Sequence, residues 1–289
     1  MRYGCGKPGA RLAAIFCAWA LAVTVATAGG ASAQEVLRVG VVPALTQGQT
    51  RIGIEKLQDH LASELGRTVE IQVLSDYAAV VEALGFGHVD MAYLGPRTYV
   101  IAHHRYGAQA VVTQLIDGSP YYHSYFIVPH DSPLQSIDEL RGKQVAFGDP
   151  SSTSGSLIPK LELIRRGIDP DRDLRALHTG SHDATALAVL NRHVDAGAID
   201  SAYFHLLIRR GQIPEDGFRV IWQSEPLFQY PWAVRKNMDP ELIEQIRAAF
   251  LKITDQDILD AFGASGFTIA TNEDYELIRQ AAEAFGDLQ

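Results

Sequence analysis

Short β-branched runs alternate with amphipathic helical segments along most of this chain, and no other feature constrains its fold as strongly. Residues 36–42 form an apolar run that ends before Pro43, which predicts a strand. Residues 49–65 then carry apolar side chains at helical spacing. We predict further strands at 69–73, 89–94, 121–128, 145–147, 174–178, 194–199 and 219–222. We predict further helices at 78–86, 96–106, 154–166, 183–191, 201–209, at 240–252 after an Asp239 cap, and from an Asn272 cap to residue 285. This alternation indicates an α/β architecture with mostly parallel sheets.

The N-terminal segment has the pattern of an export signal. Three positive residues precede and flank an apolar run over residues 12–28, and Ala31-Ser32-Ala33 follows it as a cleavage pattern. We therefore expect residues 1–33 to be a cleavable signal peptide and the protein to reach the periplasm. The alternative is a membrane anchor, but the apolar run barely reaches the ~18 residues that a spanning helix needs. Cleavage would remove Cys5 and Cys17, the chain's two cysteines.

Charge and composition exclude several functional classes. The chain has 34 Asp and Glu against 25 Lys and Arg, a formal net charge of −9, which argues against nucleic-acid binding. Neither an HExxH pattern nor another pair of histidines at ligand spacing occurs, so we expect no metal site and no cofactor. The 289 residues are enough for one large domain or two of ordinary size.

A weak internal repeat predicts two similar lobes. Residues 77–84 lead into His88-Val89-Asp90, an apolar strand and Gly95-Pro96. About a hundred residues later, residues 182–189 lead into His193-Val194-Asp195, another apolar strand and Asp200-Ser201. In such sheets ligands bind beyond the carboxyl ends of the strands, where helix N-termini gather. We therefore expect a ligand cleft between two lobes that close about a hinge.

The segment from Gly148 to Gly155 is the strongest candidate for anion binding. It follows a predicted strand and opens a helix, so unpaired N–H groups, hydroxyls and a glycine meet there. Its candidate ligand groups are Ser152, Thr153 and Ser154. A plain Ser/Thr N-cap in a flexible turn explains the pattern equally well, and the lysine of a true phosphate-binding P-loop is missing.

Aromatic and imidazole side chains supply further candidates. Tyr77 and His182 occupy equivalent helix starts of the repeat, and either side chain can hydrogen-bond an oxyanion. A lone histidine, however, is usually a surface residue. Tyr122 lies just before the predicted hinge strand, where its ring either lines the cleft or packs on a lobe surface.

Two strand ends add the last candidates. Tyr93 ends a predicted strand of the first lobe, and Asp200 ends the equivalent strand of the second. Asp200 either accepts a proton carried by the ligand or caps the helix that starts at Ser201. Arg97 follows Pro96 and is assigned no role, because it can form an ion pair elsewhere.

Over residues 36–285 the sequence resembles the periplasmic substrate-binding proteins of phosphonate and phosphite ABC transporters. The motifs that carry the resemblance are SDYA at 75–78, VDMAYLGP at 89–96, YYHSYFIV at 121–128, DPSSTSG at 149–155 and SHD at 181–183. The resemblance implies the two-lobe class II fold of periplasmic binding proteins, and we place lobe 1 at 34–124 and 226–289 and lobe 2 at 125–225. It also implies that Ser152, Thr153 and Ser154 hold an oxyanion, with Tyr77, Tyr122 and His182 at matching family positions.

One departure from the family pattern narrows the expected ligand. Family members that bind aminoalkyl phosphonates place two carboxylates against the ammonium group, and the matching positions here are Ala202 and the acid-free loop 227–232. An uncompensated ammonium in a closed cleft is costly. We therefore expect phosphite or a small alkylphosphonate, with phosphate as a further candidate, and we expect Tyr230 and Trp232 to fill the space.

The expected activity is binding, not catalysis. We expect a monomer that captures a small oxyanion and presents it to an ABC permease of the inner membrane. The alternative is a periplasmic sensor subunit that signals to a membrane histidine kinase. An arsenic-oxyanion sensor is one such case, but the chain expected after cleavage at Ala33 has no cysteine and so cannot capture arsenite by thiolates. An enzyme is disfavoured, because the chain lacks a G-x-S-x-G elbow and places no acid to orient His182.

Overall fold

A computed structural model describes residues 36–46 and 50–289 of the protein. The predicted signal peptide and its cleavage site therefore lie outside the described residues. The helices are α1 (Arg51–Leu65), α2 (Tyr77–Gly85), α3 (Pro96–Tyr106), α4 (Ile158–Arg165), α5 (His182–Leu190), α6 (Ser201–Arg209), α7 (Pro240–Leu251), α8 (Gln256–Phe262) and α9 (Glu276–Phe285). The strands are β1 (Leu37–Val41), β2 (Val69–Val73), β3 (Met91–Tyr93), β4 (Gln109–Leu115), β5 (Tyr121–Tyr122), β6 (Ser124–Pro129), β7 (Gln144–Phe147), β8 (Arg175–His178), β9 (Ala196–Asp200), β10 (Phe218–Gln223), β11 (Leu227–Phe228), β12 (Pro231–Val234) and β13 (Gly266–Ile269).

Two sheets carry the two lobes. The first lobe is built on the order β13-β4-β12-β3-β1-β2, and the second on β10-β6-β9-β7-β8. The two connections between the lobes pair with each other as the short antiparallel ribbon of β5 and β11. The α/β fold with two lobes is confirmed, while the exact lobe boundaries stay a prediction.

The sheets are mixed, which corrects the expectation of mostly parallel sheets. Strand β1 runs parallel to β2 and β3, and β7 runs parallel to β8 and β9. Two of the antiparallel strands, β6 and β12, are the ones with which the chain enters a lobe after crossing from the other lobe. Strand β6 begins with Ser124 opposite Asp200, the last residue of β9, and Trp232 of β12 lies opposite Tyr93, the last residue of β3. A strand that enters at the carboxyl ends of its neighbours must run against them.

The internal repeat is present in the hydrogen bonding of the two lobes. In the first lobe the Arg38 N–H donates to Oδ2 of Asp90 over 3.0 Å, and the Asp90 N–H returns a bond to the Arg38 carbonyl. In the second lobe the Gln144 N–H donates to Oδ2 of Asp195 over 2.8 Å, and the Asp195 N–H bonds to the Gln144 carbonyl. Equivalent aspartates, Asp90 and Asp195, thus form equivalent pairs of hydrogen bonds in the two lobes, as the repeat predicts.

The helix starts of the repeat also correspond. Asp76 caps α2 by accepting the Ala79 N–H, and Ser181 caps α5 by accepting the Ala184 N–H. The backbone N–H of the first residue of each helix donates a hydrogen bond to the other lobe, Tyr77 to Asp149 and His182 to Ala44. Tyr77 and His182 are consequently the first residues of equivalent helices.

Several predicted elements differ from the structure. The helix predicted from residue 154 begins as a wide π-helical turn over Thr153–Leu157, and only then becomes α4. Asn272 does not cap the last helix, because its Oδ1 accepts hydrogen bonds from the Tyr99 hydroxyl and the Ala110 N–H. Asp239 does cap α7, through the Glu241 N–H. Helix α8 and strands β4, β11, β12 and β13 are absent from the predicted elements. None of the helices in the described part of the chain is long and apolar enough to cross a membrane.

Candidate functional site

The predicted site residues are all buried at the junction of the two lobes. Each is at most 2% exposed, and they come from the carboxyl ends of strands and from helix starts on both sides. They are Tyr77, Tyr93, Tyr122, Ser152, Thr153, Ser154, His182 and Asp200. The hydrogen bonds around them, however, divide them into groups with different functions.

Ser152 forms hydrogen bonds within the turn in which it lies. Its Oγ accepts the Gly155 N–H over 3.1 Å, and its carbonyl accepts the Leu157 N–H over 3.0 Å. The Gly148 N–H closes the same loop by donating to the Gly155 carbonyl over 2.9 Å. The N-cap interpretation of this segment therefore describes Ser152, and the cap fixes the wide first turn of the helix.

Ser154 has a hydroxyl that is free for another partner. Thr153 Oγ1 accepts the backbone N–H of Arg97 over 2.8 Å. Ser154 Oγ is fully buried and has no hydrogen-bond partner among the described residues, while its carbonyl accepts the Ser124 hydroxyl over 2.7 Å. Of the three hydroxyls in the Ser-Thr-Ser run, that of Ser154 is thus the one that forms no hydrogen bond among the described residues, and it lies near Asp200 and Tyr122.

Two further orphaned atoms lie next to Ser154. Asp200 uses Oδ1 to cap α6 through the N–H groups of Ala202 and Tyr203, at 2.7 and 3.1 Å, while its Oδ2 has no partner in the described part of the chain. The buried hydroxyl of Tyr122 is unpartnered in the same sense. Because leaving a buried polar atom unpaired costs ~1–3 kcal/mol, three such atoms together indicate a binding site.

Burial also controls the charge of this cluster. Burial raises the pKa of Asp200 to about 7. The backbone N–H groups of Tyr203 and Ala202 and the proximity of the Ser154 and Tyr230 hydroxyls lower this pKa only in part. Burial likewise raises the pKa of Tyr122, which Ser154 and Thr153 partly offset. A proton can therefore move onto or off Asp200 near neutral pH, while Tyr122 remains a neutral donor.

His182 is held as a neutral imidazole. Burial lowers its pKa to about 4. Its Nδ1 accepts the Asp200 N–H over 3.4 Å, so Nε2 carries the proton and donates to the Tyr230 hydroxyl over 3.2 Å. The ring stacks on Tyr203 with centroids 5.4 Å apart. His182 thus orients Tyr230, whose own hydroxyl proton remains available to the cleft.

Tyr93 and Tyr77 form the aromatic wall of the first lobe. The Tyr93 hydroxyl donates to Gln114 Oε1 over 2.8 Å and forms a second hydrogen bond with the Tyr203 hydroxyl at 3.0 Å. Its hydroxyl thus has partners within the protein, unlike the three atoms left unpartnered among the described residues. Tyr77 is almost completely buried, and burial raises its pKa, to which Tyr203 adds. The Tyr230 ring stacks against that of Tyr93 with centroids 5.4 Å apart, and the Trp232 ring lies 4.9 Å from that of Tyr93, so both side chains pack against this wall.

The lobes are joined directly around the cluster. The His182 N–H donates to the Ala44 carbonyl over 3.0 Å, and the Tyr77 N–H donates to Asp149 Oδ2 over 3.4 Å. Thr46 Oγ1 donates to Asp183 Oδ2 over 2.6 Å. Each bond crosses from one lobe to the other, so the geometry of the cluster depends on how the lobes meet.

Sequence reasoning missed several residues of this site. The hydrogen-bond partners of Tyr93 are Gln114 and Tyr203, and the partner of His182 is Tyr230. Of these three partners only Tyr230 is predicted from the sequence, as a residue that fills space. Arg97 turns out to hold the loop: its guanidinium pairs with Asp287 at 2.7 Å and donates to the Pro150 carbonyl. The only usable signal for Arg97 is its position in the first turn of α3, the helix that follows the strand ending at Tyr93.

The site has the chemistry of an oxyanion receptor. Its groups are neutral hydroxyls, a neutral imidazole and one carboxyl that holds a proton near neutral pH. Among the described residues, no group of three or more His, Cys, Asp or Glu side chains is arranged to hold a metal ion. Hydrogen-bond donors of this kind bind a compact anion through short-range geometry.

Comparisons with known proteins agree with this chemistry. The model of the family described as "ABC transporter, phosphonate, periplasmic substrate-binding protein" matches residues 39–275. The phosphate-import protein PhnD of Mycolicibacterium smegmatis is 27% identical over 277 residues, which cover 87% of this chain and 86% of the relative.

Solved structures give the same result. The binding protein component of an ABC phosphonate transporter from Pseudomonas aeruginosa superposes with a TM-score of 0.78 at 26% identity, covering 87% of this chain and 86% of that one. PhnD1 of Prochlorococcus marinus, in complex with methylphosphonate, superposes with a TM-score of 0.80 at 22% identity, covering 88% and 99%. At that identity the second likeness supports the fold alone.

Proposed function

Because this chain belongs to the family of periplasmic substrate-binding proteins of phosphonate ABC transporters, we propose that it captures phosphite or a small alkylphosphonate between its lobes for uptake. Phosphate is a further candidate ligand. The single observation that carries the proposal is the cluster of buried, unpartnered polar atoms, namely Ser154 Oγ, Tyr122 Oη and Asp200 Oδ2. A bound oxyanion would satisfy all three atoms at once.

Different hydrogen-bond donors of the site would bind different oxygens of the ligand. Ser154 and Tyr122 each offer a hydroxyl proton to a phosphoryl oxygen, and the amides at the start of the π-helical turn add a partial positive charge. The Tyr230 hydroxyl oxygen accepts a hydrogen bond from the Nε2–H of His182, so its own proton can point toward the ligand. Neutral donors of this kind can hold an anion without a salt bridge.

Asp200 would select ligands that carry an acidic proton. A phosphonate or phosphite that keeps one P–OH group can donate it to Oδ2, whereas a sulfonate has no proton to give. An ionised Asp200 would then repel the sulfonate, and protonating it costs free energy above its pKa of about 7. The same site therefore favours phosphorus over sulfur oxyanions of equal shape.

The walls of the cleft disfavour an aminoalkyl chain. Ala202 and the segment around Tyr230 and Trp232 contribute no carboxylate, and both aromatic side chains are fully buried. An ammonium group placed there would lose its hydration without gaining an ion pair. Aminoethylphosphonate should therefore bind more weakly than methylphosphonate.

The rest of the proposal concerns the context of the protein. The signal peptide would be cleaved after Ala33, and the protein would act in the periplasm as a monomer that presents its closed form to an inner-membrane permease. Family membership favours transport over the sensor alternative, and it gives no support to catalysis.

Calorimetric titration of the exported protein tests the proposal. Phosphite, methylphosphonate, phosphate, aminoethylphosphonate and methanesulfonate would each be titrated at pH 7. We expect one binding site per chain and a clear preference for phosphite or methylphosphonate over methanesulfonate. The Asp200→Asn variant should reduce that preference, because an amide can donate to either ligand. Absence of heat with every phosphorus oxyanion would overturn the assignment.

A further inference from the structure

A second polar pocket lies at the opposite end of the first sheet. Its volume is about 490 Å³, and Arg38, Arg67 and Arg235 line it beside Asp90 and the start of α7. Strand β1 begins there at Leu37 and Asp90 directly precedes β3, whereas the cleft residue Tyr93 ends β3. The pocket is therefore separated from the cleft by the length of the sheet.

Three arginines and two aspartates line this pocket, so its lining carries one more positive than negative charge. Asp90 accepts from Arg38 Nε and Nη2 and from Arg235 Nε, at 3.2, 3.3 and 3.2 Å, so one carboxylate serves two guanidinium groups. The other acid of the lining, Asp239, accepts the Glu241 N–H as the cap of α7. This excess of positive charge in the pocket contrasts with the formal net charge of −9 of the whole chain.

Arg67 is the guanidinium that remains unmatched. Its Nε is fully buried and has no hydrogen-bond partner among the described residues. No ion pair of Arg67 is formed within the described ranges either. A buried donor next to two other guanidinium groups needs an acceptor that carries negative charge.

We propose that this pocket is a second anion site, which binds a phosphate-class oxyanion through Arg67, with Arg38 and Arg235 as its outer contacts. Guanidinium groups match tetrahedral oxyanions because their parallel N–H groups can donate in pairs. The volume falls within the usual range for small-molecule sites, roughly 300–1,000 Å³. The oxyanion is either a free ion or the headgroup of an anionic lipid.

NMR of the arginine side chains tests this proposal independently of the cleft. The Nε–Hε signals of the ¹⁵N-labelled exported protein would be followed during titration with inorganic phosphate at constant ionic strength, with sodium chloride as the reference. We expect a saturable shift of the Arg67 signal with phosphate and not with chloride. Arg67→Gln should abolish the accompanying shifts of Arg38 and Arg235.

Matched variants and vesicles identify the source of the anion. Arg172→Gln removes an exposed guanidinium from the second lobe and should leave the titration unchanged. Sedimentation with phosphatidylglycerol vesicles, compared with phosphatidylcholine vesicles, tests the headgroup; loss of sedimentation in Arg67→Gln alone would assign it. An Arg67 shift that never saturates is one contrary result, and a shift that chloride reproduces is the other. Either result, together with no binding to the vesicles, would mean an adventitious ion only and would overturn the proposal. Failure of the cleft assignment would leave these outcomes unaffected.

Discussion

The backbone N–H of Asp200 donates to Nδ1 of His182 over 3.4 Å, and this bond determines which imidazole nitrogen carries the proton. Nε2 must then be the donor to Tyr230, so the histidine acts as a neutral orienting group. The same aspartate caps α6 with one oxygen and leaves the other unpartnered among the described residues. The predictions below follow from this division of functions.

The two serines of the Ser-Thr-Ser run should respond differently to removal of the hydroxyl. Ser154→Ala should weaken ligand binding by ~1–3 kcal/mol, the usual value for a buried bond to a charged partner, with little loss of stability. Ser152→Ala should instead lower the free energy of unfolding by ~0.5–2 kcal/mol, because it removes an N-cap. Calorimetry and urea unfolding measure the two quantities.

Ser151→Ala is the matched control for both variants. Ser151 lies in the same loop, and among the described residues its side chain forms no hydrogen bond while its backbone N–H binds Asp149. Its removal should change neither quantity. Equal effects of Ser152→Ala and Ser154→Ala on affinity would contradict the assignment of the free hydroxyl.

Asp200 and His182 should contribute opposite pH dependences to stability. Burial raises the pKa of Asp200 to about 7, so the folded state holds a proton that the unfolded state has lost, and stability falls as pH rises from about 4 to 7. Burial lowers the pKa of His182 to about 4, so the unfolded state holds the extra proton and stability rises with pH up to about 6.5. Below pH 6.5 the two contributions largely cancel.

Variants separate the two contributions. Relative to the unmodified protein, Asp200→Asn should gain stability as pH rises from 4.5 to 7, by roughly 1 kcal/mol per pH unit. His182→Asn should lose stability relative to the unmodified protein over pH 4.5 to 6.5 by a similar amount. Urea unfolding at several pH values measures both, with the exposed Asp216→Asn as control. Parallel pH profiles for all four proteins would show that neither group is perturbed.

Ligand affinity should not titrate with the imidazole. Because the pKa of His182 is lowered to about 4, the ring is neutral on both sides of the ordinary histidine value. The affinity of His182→Ala should be weaker by ~1–3 kcal/mol, and the loss should be the same at pH 5.5 and pH 8. A loss that appears only at the lower pH would mean that a charged imidazole binds the ligand.

The two glycines of the anion loop should differ in their tolerance of alanine. A Cβ on Gly155 would lie 3.0 Å from Ser152 Oγ and 3.1 Å from the Gly148 Cα, so the cap must shift. A Cβ on Gly148 would meet nothing closer than 3.4 Å, an ordinary contact. We expect Gly155→Ala to weaken ligand binding at least tenfold, about 1.4 kcal/mol, and Gly148→Ala to change it much less. Calorimetry on both variants decides, and the reverse order would contradict the loop geometry.

Affinity should depend only weakly on salt. The one arginine that contacts the Ser-Thr-Ser run within the described residues is Arg97, and its guanidinium is paired with Asp287. Short-range bonds inside a buried site are screened much less than exposed charges. Titrations at low and high sodium chloride should give similar dissociation constants, and a steep dependence would indicate a cationic contact.

The sequence predicts the local parts of this molecule well and the junction of the lobes poorly. The repeat correctly identifies Tyr77 and His182 as equivalent first residues, because caps and helix starts are determined by neighbouring residues. The bond between Tyr93 and Tyr203 joins positions 110 residues apart, and no local pattern contains that information. The same applies to Gln114, whose strand β4 has no alternating pattern because its central residues are buried on both faces.

The roles within the Ser-Thr-Ser run could not be separated from the sequence either. All three residues can cap a helix or bind an anion, and their spacing permits both interpretations. Only the wide π-helical turn makes Ser152 the cap and leaves Ser154 unpartnered among the described residues. The family resemblance supplied the set of residues, and the folded geometry distinguishes among them.

A structure of the protein with methylphosphonate tests the central claim most directly, through the distances from the ligand oxygens to three atoms. We predict hydrogen-bond distances of about 2.5–3.2 Å to Ser154 Oγ, Tyr122 Oη and Asp200 Oδ2. The methyl group should face the aromatic wall formed by Tyr77 and Tyr93. A ligand bound elsewhere, or one that leaves these three atoms without a partner, would contradict the account.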